Sequence, residues 1–116
     1  MKFKLIIAFI DADQTEAALD AARAAGATGS TVIGSARGEG LKPAKTFLGL
    51  DIEDSRDMLL LLVESHLSRG ILEKLKETCK FDESPGSGIA FQIDIEDAVG
   101  LTSQIGTISS EIEDQI

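Results

Sequence analysis

The sequence predicts an α+β domain of order βαββαβ, in which two helices cover one face of a four-stranded antiparallel sheet. Three observations predict it: two uninterrupted apolar runs of strand length, an amphipathic helical segment after each of them, and one alternating apolar run near the C-terminal end. Helices that alternate with strands in this order usually pack on one face of the sheet. With 116 residues, 43% of them hydrophobic, the chain is long enough for a single domain with its own core.

The first and third strands are predicted from the two uninterrupted apolar runs. Residues 3–10 read FKLIIAFI, and residues 58–63 read MLLLLV. Continuous apolar sequence of this length is typical of strands that are buried on both faces. We therefore place both runs in the interior of the sheet.

The second and fourth strands have weaker patterns. Residues 29–38, GSTVIGSARG, are rich in Thr, Val and Ile but are interrupted by Gly34 and Gly38, which indicates a bulge or a close backbone approach. Residues 89–95, IAFQIDI, place apolar side chains at every second position. Such alternation is typical of a half-covered strand, so this strand belongs near an edge.

Two helices are predicted between the strands. The segment DQTEAALDAARAAG has Asp13 as its N-cap, Glu16 as the partner in a capping box, and Gly26 as its end. The segment SHLSRGILEKLKETCKF has an apolar stripe with a step of four residues and a charged back. The members of that stripe are Leu67, Ile71, Leu75 and Cys79.

This order of elements is that of the ferredoxin-like split βαβ arrangement. In that topology the first and third strands are central and the second and fourth are edges, which agrees with the hydrophobicity of the four segments. The sheet then has open edges and one face without helices. We expect a homo-oligomer that covers them.

The charge balance and the cysteine count exclude several functions. A net charge of -9 and a pI near 4.4 argue against nucleic acid as a partner, because binding phosphates requires clustered Lys and Arg. Cys79 is the single cysteine and has no partner for an internal disulfide. The apolar run in MKFKLIIAFIDAD is too short for a signal peptide or a membrane span. We expect a cytoplasmic protein.

The connection between the second and third strands, about Gly38 to Arg56, is far longer than a hairpin needs, and such loops are usually functional or disordered. Two interpretations are open: its apolar half packs on a neighbouring subunit, or it is a finger that becomes ordered when it binds a partner protein. For the second we take as partner-binding residues two cations and two apolar side chains. These are Lys42, Lys45, Phe47 and Leu48.

The glycine loop, residues 83–88 (ESPGSG), joins the second helix to the fourth strand. Gly86 and Gly88 would let backbone N–H groups approach phosphate oxygens, and Ser87 could add a hydroxyl. It is not a Walker loop, because it precedes a strand and lacks the Gly-Lys-Ser/Thr ending. The alternative is a helix-to-strand turn in which proline and glycine only supply the geometry.

Together these motifs resemble the nitrogen regulatory P-II proteins, which are trimeric ferredoxin-like signal transducers. TVIGSARGEG resembles the entry to the family's T-loop, here about residues 38–56, and PGSGIAF resembles its B-loop, here about residues 83–88. The resemblance covers residues 1–102, with 103–116 as a C-terminal tail. It implies a homotrimer that binds an adenine nucleotide between subunits and regulates a protein partner through the T-loop. That partner could be a membrane transporter.

The resemblance assigns the ligand-binding residues. They are Gly34, Arg37, Gly38, Gly86, Ser87, Gly88 and Ile89. Arg56 lies near the family's basic position at the start of the third strand.

At several positions the sequence departs from the family pattern. Ile89 replaces a lysine, Gly100 and Thr102 replace two arginines, and Gly38 replaces the glutamine that helps hold magnesium and 2-oxoglutarate. Charge-assisted contacts contribute roughly 1.5–3 kcal/mol each, so their loss argues against tight ATP binding. Of AMP, ADP and ATP, the pattern favours the less charged nucleotides, or another small metabolite. The chain has no tyrosine, so uridylylation of a T-loop tyrosine is excluded.

Two alternatives have other chemistry. A small enzyme on the same fold would use Asp11, Asp13 or His66 as acid or base, but the sequence lacks a convergent nucleophile, base and orienting group. A divalent-cation-tolerance type trimer has the same architecture with a shorter second connection. A single histidine with one distant cysteine does not make a metal site, so we expect neither metal nor catalytic residues.

Overall fold

Four strands form one antiparallel sheet, and two helices pack on one of its faces. The computed structural model describes residues 2–36, 46–47, 50–51, 56–83 and 86–100. The strands are β1 (Phe3–Asp11), β2 (Thr31–Ala36), β3 (Thr46–Phe47), β4 (Leu50–Asp51), β5 (Arg56–Glu64) and β6 (Gly88–Asp94). The helices are α1 (Thr15–Ala24) and α2 (Ser65–Cys79).

The order of the strands in the sheet is β2-β5-β1-β6, with every neighbouring pair antiparallel. The two uninterrupted apolar runs are therefore the central strands, and the two weaker patterns are the edges, as predicted. The register of β2 on β5 shifts between Ile33 and Ala36, around the glycine of that strand. The ferredoxin-like fold is confirmed.

The start of α1 differs from the prediction. Asp13 is not an N-cap, because it lies inside a 3-10 turn, Ala12–Gln14, that precedes the helix. Gln14 occupies the cap position and makes no side-chain cap hydrogen bond. The start of the helix is instead held by the Thr15 hydroxyl, which donates to Asp57 Oδ2 at 2.5 Å. A contact between residues 42 positions apart replaces the predicted local capping box.

The core lies between the helices and the sheet. Ile71, Leu75 and Cys79 of the predicted stripe are buried, and Leu67 packs against them from the margin of the core. The sheet contributes alternate residues of its two central strands. These are Ile6, Ala8 and Ile10 of β1 with Leu59, Leu61 and Val63 of β5.

The opposite face of the sheet, which we call the open face, is also apolar. Leu62, Phe91 and Ile93 project from it and are 40%, 37% and 46% exposed. The prediction that β1 and β5 are buried on both faces therefore fails for a single chain, because the helices reach only one face. The apolar side of β6 also faces away from the helices. The alternating apolar residues of β6 therefore lie on the open face, where no other part of the described chain covers them.

Candidate functional site

The glycine loop turns the chain from the end of α2 into the edge strand β6. Lys80 ends the helix in the left-handed conformation, with φ 54°, and its N–H bonds to the Lys76 carbonyl. Gly86 has φ 78°, a value that favours glycine. The Ser87 hydroxyl donates to the Lys80 carbonyl at 3.3 Å, so the described part of the loop is tied back to the helix end.

Gly88 lies where no side chain fits. A Cβ atom at this position would lie 2.5 Å from Cε1 of Phe81 and 2.8 Å from the Phe9 carbonyl oxygen. The ring can move, but the carbonyl belongs to the sheet backbone. The geometry of the loop therefore favours glycine at position 86 through its φ and requires it at position 88 through close approach.

A buried arginine lies beneath this loop. Arg56, the first residue of β5, is 4% exposed. Its Nη1 donates to Asp11 Oδ1 at 2.5 Å and to the Ser87 carbonyl at 3.2 Å, and its Nη2 donates to the Gly86 carbonyl at 2.7 Å. Its Nε atom is buried without a hydrogen-bond partner among the described residues. The guanidinium thus links the ends of two central strands to the glycine loop.

Gly34, at the predicted base of the T-loop, does not meet the glycine loop within one chain. It lies in β2, at the edge of the sheet opposite β6. Three strand spacings separate the two edges, about 14 Å at 4.7–4.9 Å per strand. A Cβ at Gly34 would have Asp57 Oδ1 as its neighbour, at 3.7 Å. Gly34 and the glycine loop therefore do not touch within one chain, although Ala36, at the end of β2, pairs with Arg56 beneath that loop.

The remaining predicted site residues fall in three places. Ile89 follows the glycine loop in β6 and is partly buried beside Phe9. Phe47 lies in β3, which pairs with β4 within the long connection. The others lie outside the described residues, and these are Arg37, Gly38, Lys42, Lys45 and Leu48.

An open groove of about 310 Å³ runs beside the glycine loop, between α2 and β6. Its cations are paired with carboxylates. Glu73 accepts from Lys76 at 3.0 Å and from Arg69 at 2.5 Å. The hydrogen bond and charge of Lys76, with the charge of Arg69, lower the pKa of Glu73. This groove therefore offers no unpaired cation from Arg69 or Lys76 for a phosphate.

The residues considered for enzymatic or metal chemistry do not converge. Asp11 is paired with Arg56, and Asp13 and His66 are exposed. His66 has a carboxylate oxygen of Glu64 3.6 Å from its Nε2. Burial, with a smaller effect from the charge of Asp11, raises the pKa of the Cys79 thiol. Within the described residues there is no group of three or more His, Cys, Asp and Glu placed to hold a metal ion.

The family assignment comes from the sequence as a whole. The family model for nitrogen regulatory protein P-II matches residues 3–104. The chain belongs to the P-II family. This membership decides between the P-II and divalent-cation-tolerance interpretations in favour of the first, and the substitutions at the family's cationic and glutamine positions make the chain a divergent member. A comparison with curated proteins gave no match.

Solved structures of PII-like proteins share the fold. The apo form of CPII from Thiomonas intermedia K12 is 23% identical, with a TM-score of 0.62 over 82% of this chain and 90% of CPII. The same protein bound to ADP and bicarbonate is 26% identical, with a TM-score of 0.61 over 82% and 87%. TTHA0516 from Thermus thermophilus, assigned as a PII-like signalling protein, is 22% identical, with a TM-score of 0.60 over 82% and 87%.

Sequence reasoning did not find the contact between Arg56 and Asp11. The two residues are 45 positions apart and become neighbours through the register of β1 on β5. The available signal was a cation at the start of one central strand and a carboxylate at the end of the other. Only the antiparallel register shows that these ends meet.

No helix among the described residues is long and apolar enough to cross a membrane.

Proposed function

We propose that this P-II family member is a cytoplasmic homotrimeric signalling protein that binds an adenine nucleotide between subunits and has no catalytic activity. The observation that carries the proposal is the glycine loop, in which the φ of Gly86 favours glycine and the close approach of Gly88 to the β1 backbone requires it. Glycines at such positions expose backbone N–H groups, which suit the oxygens of a phosphate.

The trimer is supported by the open face and by the separation of Gly34 from the glycine loop. Apolar side chains on the bare side of β1, β5 and β6 would gain about 25 cal/mol for each Å² removed from water. A second chain that covers this face could also bring its own β2 edge to the glycine loop. Oligomerisation would then complete the core and the ligand site together.

Among adenine nucleotides we propose that the ligand is AMP or ADP rather than ATP. Ile89 provides no positive charge, and Arg69 and Lys76 in the adjacent groove are paired with Glu73. CPII, which shares the fold, has been crystallised with ADP and AMP. Each further phosphate adds negative charge that this site has few cations to balance.

The second part of the proposal is that the connection of residues 38–56 regulates a protein partner. Lys42, Lys45, Phe47 and Leu48 combine cations with apolar side chains, a composition suited to the cytoplasmic surface of a membrane transporter. Substitution of Phe47 by Ala is then expected to spare nucleotide binding and to weaken partner binding.

Calorimetric titration of the purified protein with AMP, ADP and ATP tests the first part. Each nucleotide is titrated with and without magnesium and 2-oxoglutarate. Micromolar binding of AMP or ADP, tighter than that of ATP and insensitive to 2-oxoglutarate, is expected. An absence of heat with all three nucleotides would refute nucleotide sensing and leave the glycine loop as a turn.

A further inference from the structure

We propose that Arg56 is a positioning residue that aims two backbone N–H groups of the glycine loop, those of Ser87 and Gly88, at the ligand phosphate. The inference rests on the proposed nucleotide function and extends it to a residue that does not itself touch the ligand. It follows from the two carbonyl groups that the guanidinium holds, Gly86 at 2.7 Å and Ser87 at 3.2 Å.

The direction of these two N–H groups follows from the geometry of the peptide bond. In a trans peptide the carbonyl of one residue and the N–H of the next point in opposite directions. Arg56 draws the Gly86 and Ser87 carbonyls toward β5 and the interior. The N–H groups of Ser87 and Gly88, which belong to the same two peptide units, must then point away from β5. By holding the two carbonyl groups, Arg56 therefore also fixes the direction of the Ser87 and Gly88 N–H groups.

The Gly88 N–H is not used by the hydrogen-bond ladder between β1 and β6. Ile95 N–H donates to the Phe3 carbonyl, so odd-numbered residues of β1 and β6 form the hydrogen-bonded pairs of this ladder. Such pairs alternate with non-hydrogen-bonded ones in an antiparallel ladder. Gly88 faces Ile10, an even-numbered residue, and is therefore in a non-hydrogen-bonded pair. Its N–H points outward from the edge strand.

Arg56 acts on the glycine loop through the geometry of its donors rather than through its charge. The positive charge of Arg56 is already paired with Asp11 at 2.5 Å, and the side chain is buried. It therefore cannot act as a substitute for the lysine that Ile89 replaces. What remains is the planar fork of donors, which reaches both carbonyls at once while Asp11 holds it from the other side. A lysine would keep the charge but has no rigid fork.

The test therefore compares Arg56→Lys with wild type, and uses Arg23→Lys as the matched control. Arg23 is an exposed arginine on α1 that contacts only Asp20 among the described ion pairs. Affinities for ADP and for adenosine, which lacks the phosphates, are measured by calorimetry. We expect Arg56→Lys to lose roughly tenfold or more in ADP affinity and little in adenosine affinity, because two amide donors are lost from the phosphate. Arg23→Lys is expected to match wild type.

A second readout does not depend on nucleotide binding. Hydrogen exchange of the peptide that covers residues 81–91 is compared in the unliganded proteins. Faster exchange there in Arg56→Lys, with unchanged exchange in the rest of β1 and β5, is expected if Arg56 holds the loop. Unchanged exchange in this peptide would overturn the inference, as would an Arg56→Lys protein with wild-type ADP affinity.

The two readouts separate the two proposals. A wild-type protein that binds no nucleotide refutes the proposed function, and the exchange measurement then still decides whether Arg56 positions the loop. If Arg56→Lys does not fold, both measurements are made on Asp11→Asn, which removes the charge that holds the guanidinium and keeps the size of the side chain. The same losses, of smaller size, are then expected, and their absence would overturn the inference.

Discussion

At the scale of single residues, Gly88 is the position where function and packing are hardest to separate. Gly88→Val is an obvious variant for removing the ligand site, but even a single added Cβ would meet the Phe9 carbonyl at 2.8 Å. A loss of binding in that variant could therefore result from a distorted β1–β6 pair. Arg56→Lys and Ser87→Ala are better probes of the site, because neither adds an atom next to the sheet backbone.

Gly88→Ala is predicted to destabilise the fold. Overpacking of this kind costs about 1–3 kcal/mol, so the melting temperature should fall by several degrees. Gly70→Ala is the matched control, because Gly70 lies in α2 with no atom within 4 Å of its added Cβ. It should stabilise the protein by about 0.5–1 kcal/mol. Thermal unfolding of the two variants checks this, and equal melting temperatures for Gly88→Ala and wild type would contradict it.

Cys79 gives a prediction for the dependence of stability on pH. Burial raises the pKa of its thiol in the folded protein above the ordinary value of about 9. The folded state therefore favours the neutral thiol, and this contribution is complete below pH 9 and is lost as the pH rises through the folded pKa. The free energy of unfolding of wild type should thus approach that of Cys79→Ala at alkaline pH. Urea titrations between pH 7 and about 10.5 check this, and parallel pH profiles would count against it.

The limits of sequence prediction are clearest at this scale. The stripe Ile71, Leu75 and Cys79 was predictable because burial on a helix follows a local period. The role of Asp13 was not, because the capping pattern does not reveal that a 3-10 turn intervenes before Thr15. The contact of Arg56 with the glycine loop depends on strand register and on the path of a loop, neither of which is encoded in local spacing.

At the scale of elements, the sequence predicted which segments form the strands of the main sheet and which of these strands are central or at an edge. Uninterrupted apolar runs became central strands and interrupted or alternating runs became edges, because the sheet interior excludes backbone and side chains from water. The alternation of β6 did not reveal which face its apolar side would cover. That depends on its pairing with β1, where Phe91 faces Ile7 and Ile93 faces Leu5 on the open face.

Helix α2 yields a second prediction on pH. The hydrogen bond and charge of Lys76, with the charge of Arg69, lower the pKa of Glu73 below its ordinary value of 4.5. The ionised form therefore contributes stability above about pH 4.5, and this contribution disappears as the pH falls through the folded pKa. The melting temperatures of Glu73→Gln and wild type should differ at pH 7 and converge as the pH falls from 4.5 through the folded pKa. The difference should also shrink at high salt, because the side chains are on the surface.

The matched control for that experiment is Glu77→Gln. Glu77 lies on the same helix, and its carboxylate is 3.9 Å from Lys74 Nζ, a longer pair than either contact of Glu73. Glu77→Gln should therefore change the melting temperature less than Glu73→Gln does at pH 7. A Glu73→Gln difference that persists unchanged at pH 3 would show that lost packing, rather than charge, is responsible.

At the scale of the whole molecule, the open face predicts the oligomeric state. Leu62→Glu would place a carboxylate on this face, where it must lose its hydration if a second chain packs there. Sedimentation should show wild type at three times the chain mass of 12.3 kDa and Leu62→Glu at a single chain mass. Lys74→Glu, which makes the net charge more negative still but lies on the exposed side of α2, should remain trimeric. A trimeric Leu62→Glu would show that the face is not the interface.

The measurement that tests the central claim most directly is calorimetric titration of ADP into wild type and into Leu62→Glu at matched chain concentration. A site shared between subunits predicts micromolar binding with one ADP per chain in wild type and no detectable binding in the monomeric variant, whose glycine loop and Gly34 stay three strands apart. Equal affinity in the two proteins would contradict a site between subunits, and silence in wild type would contradict ADP binding altogether.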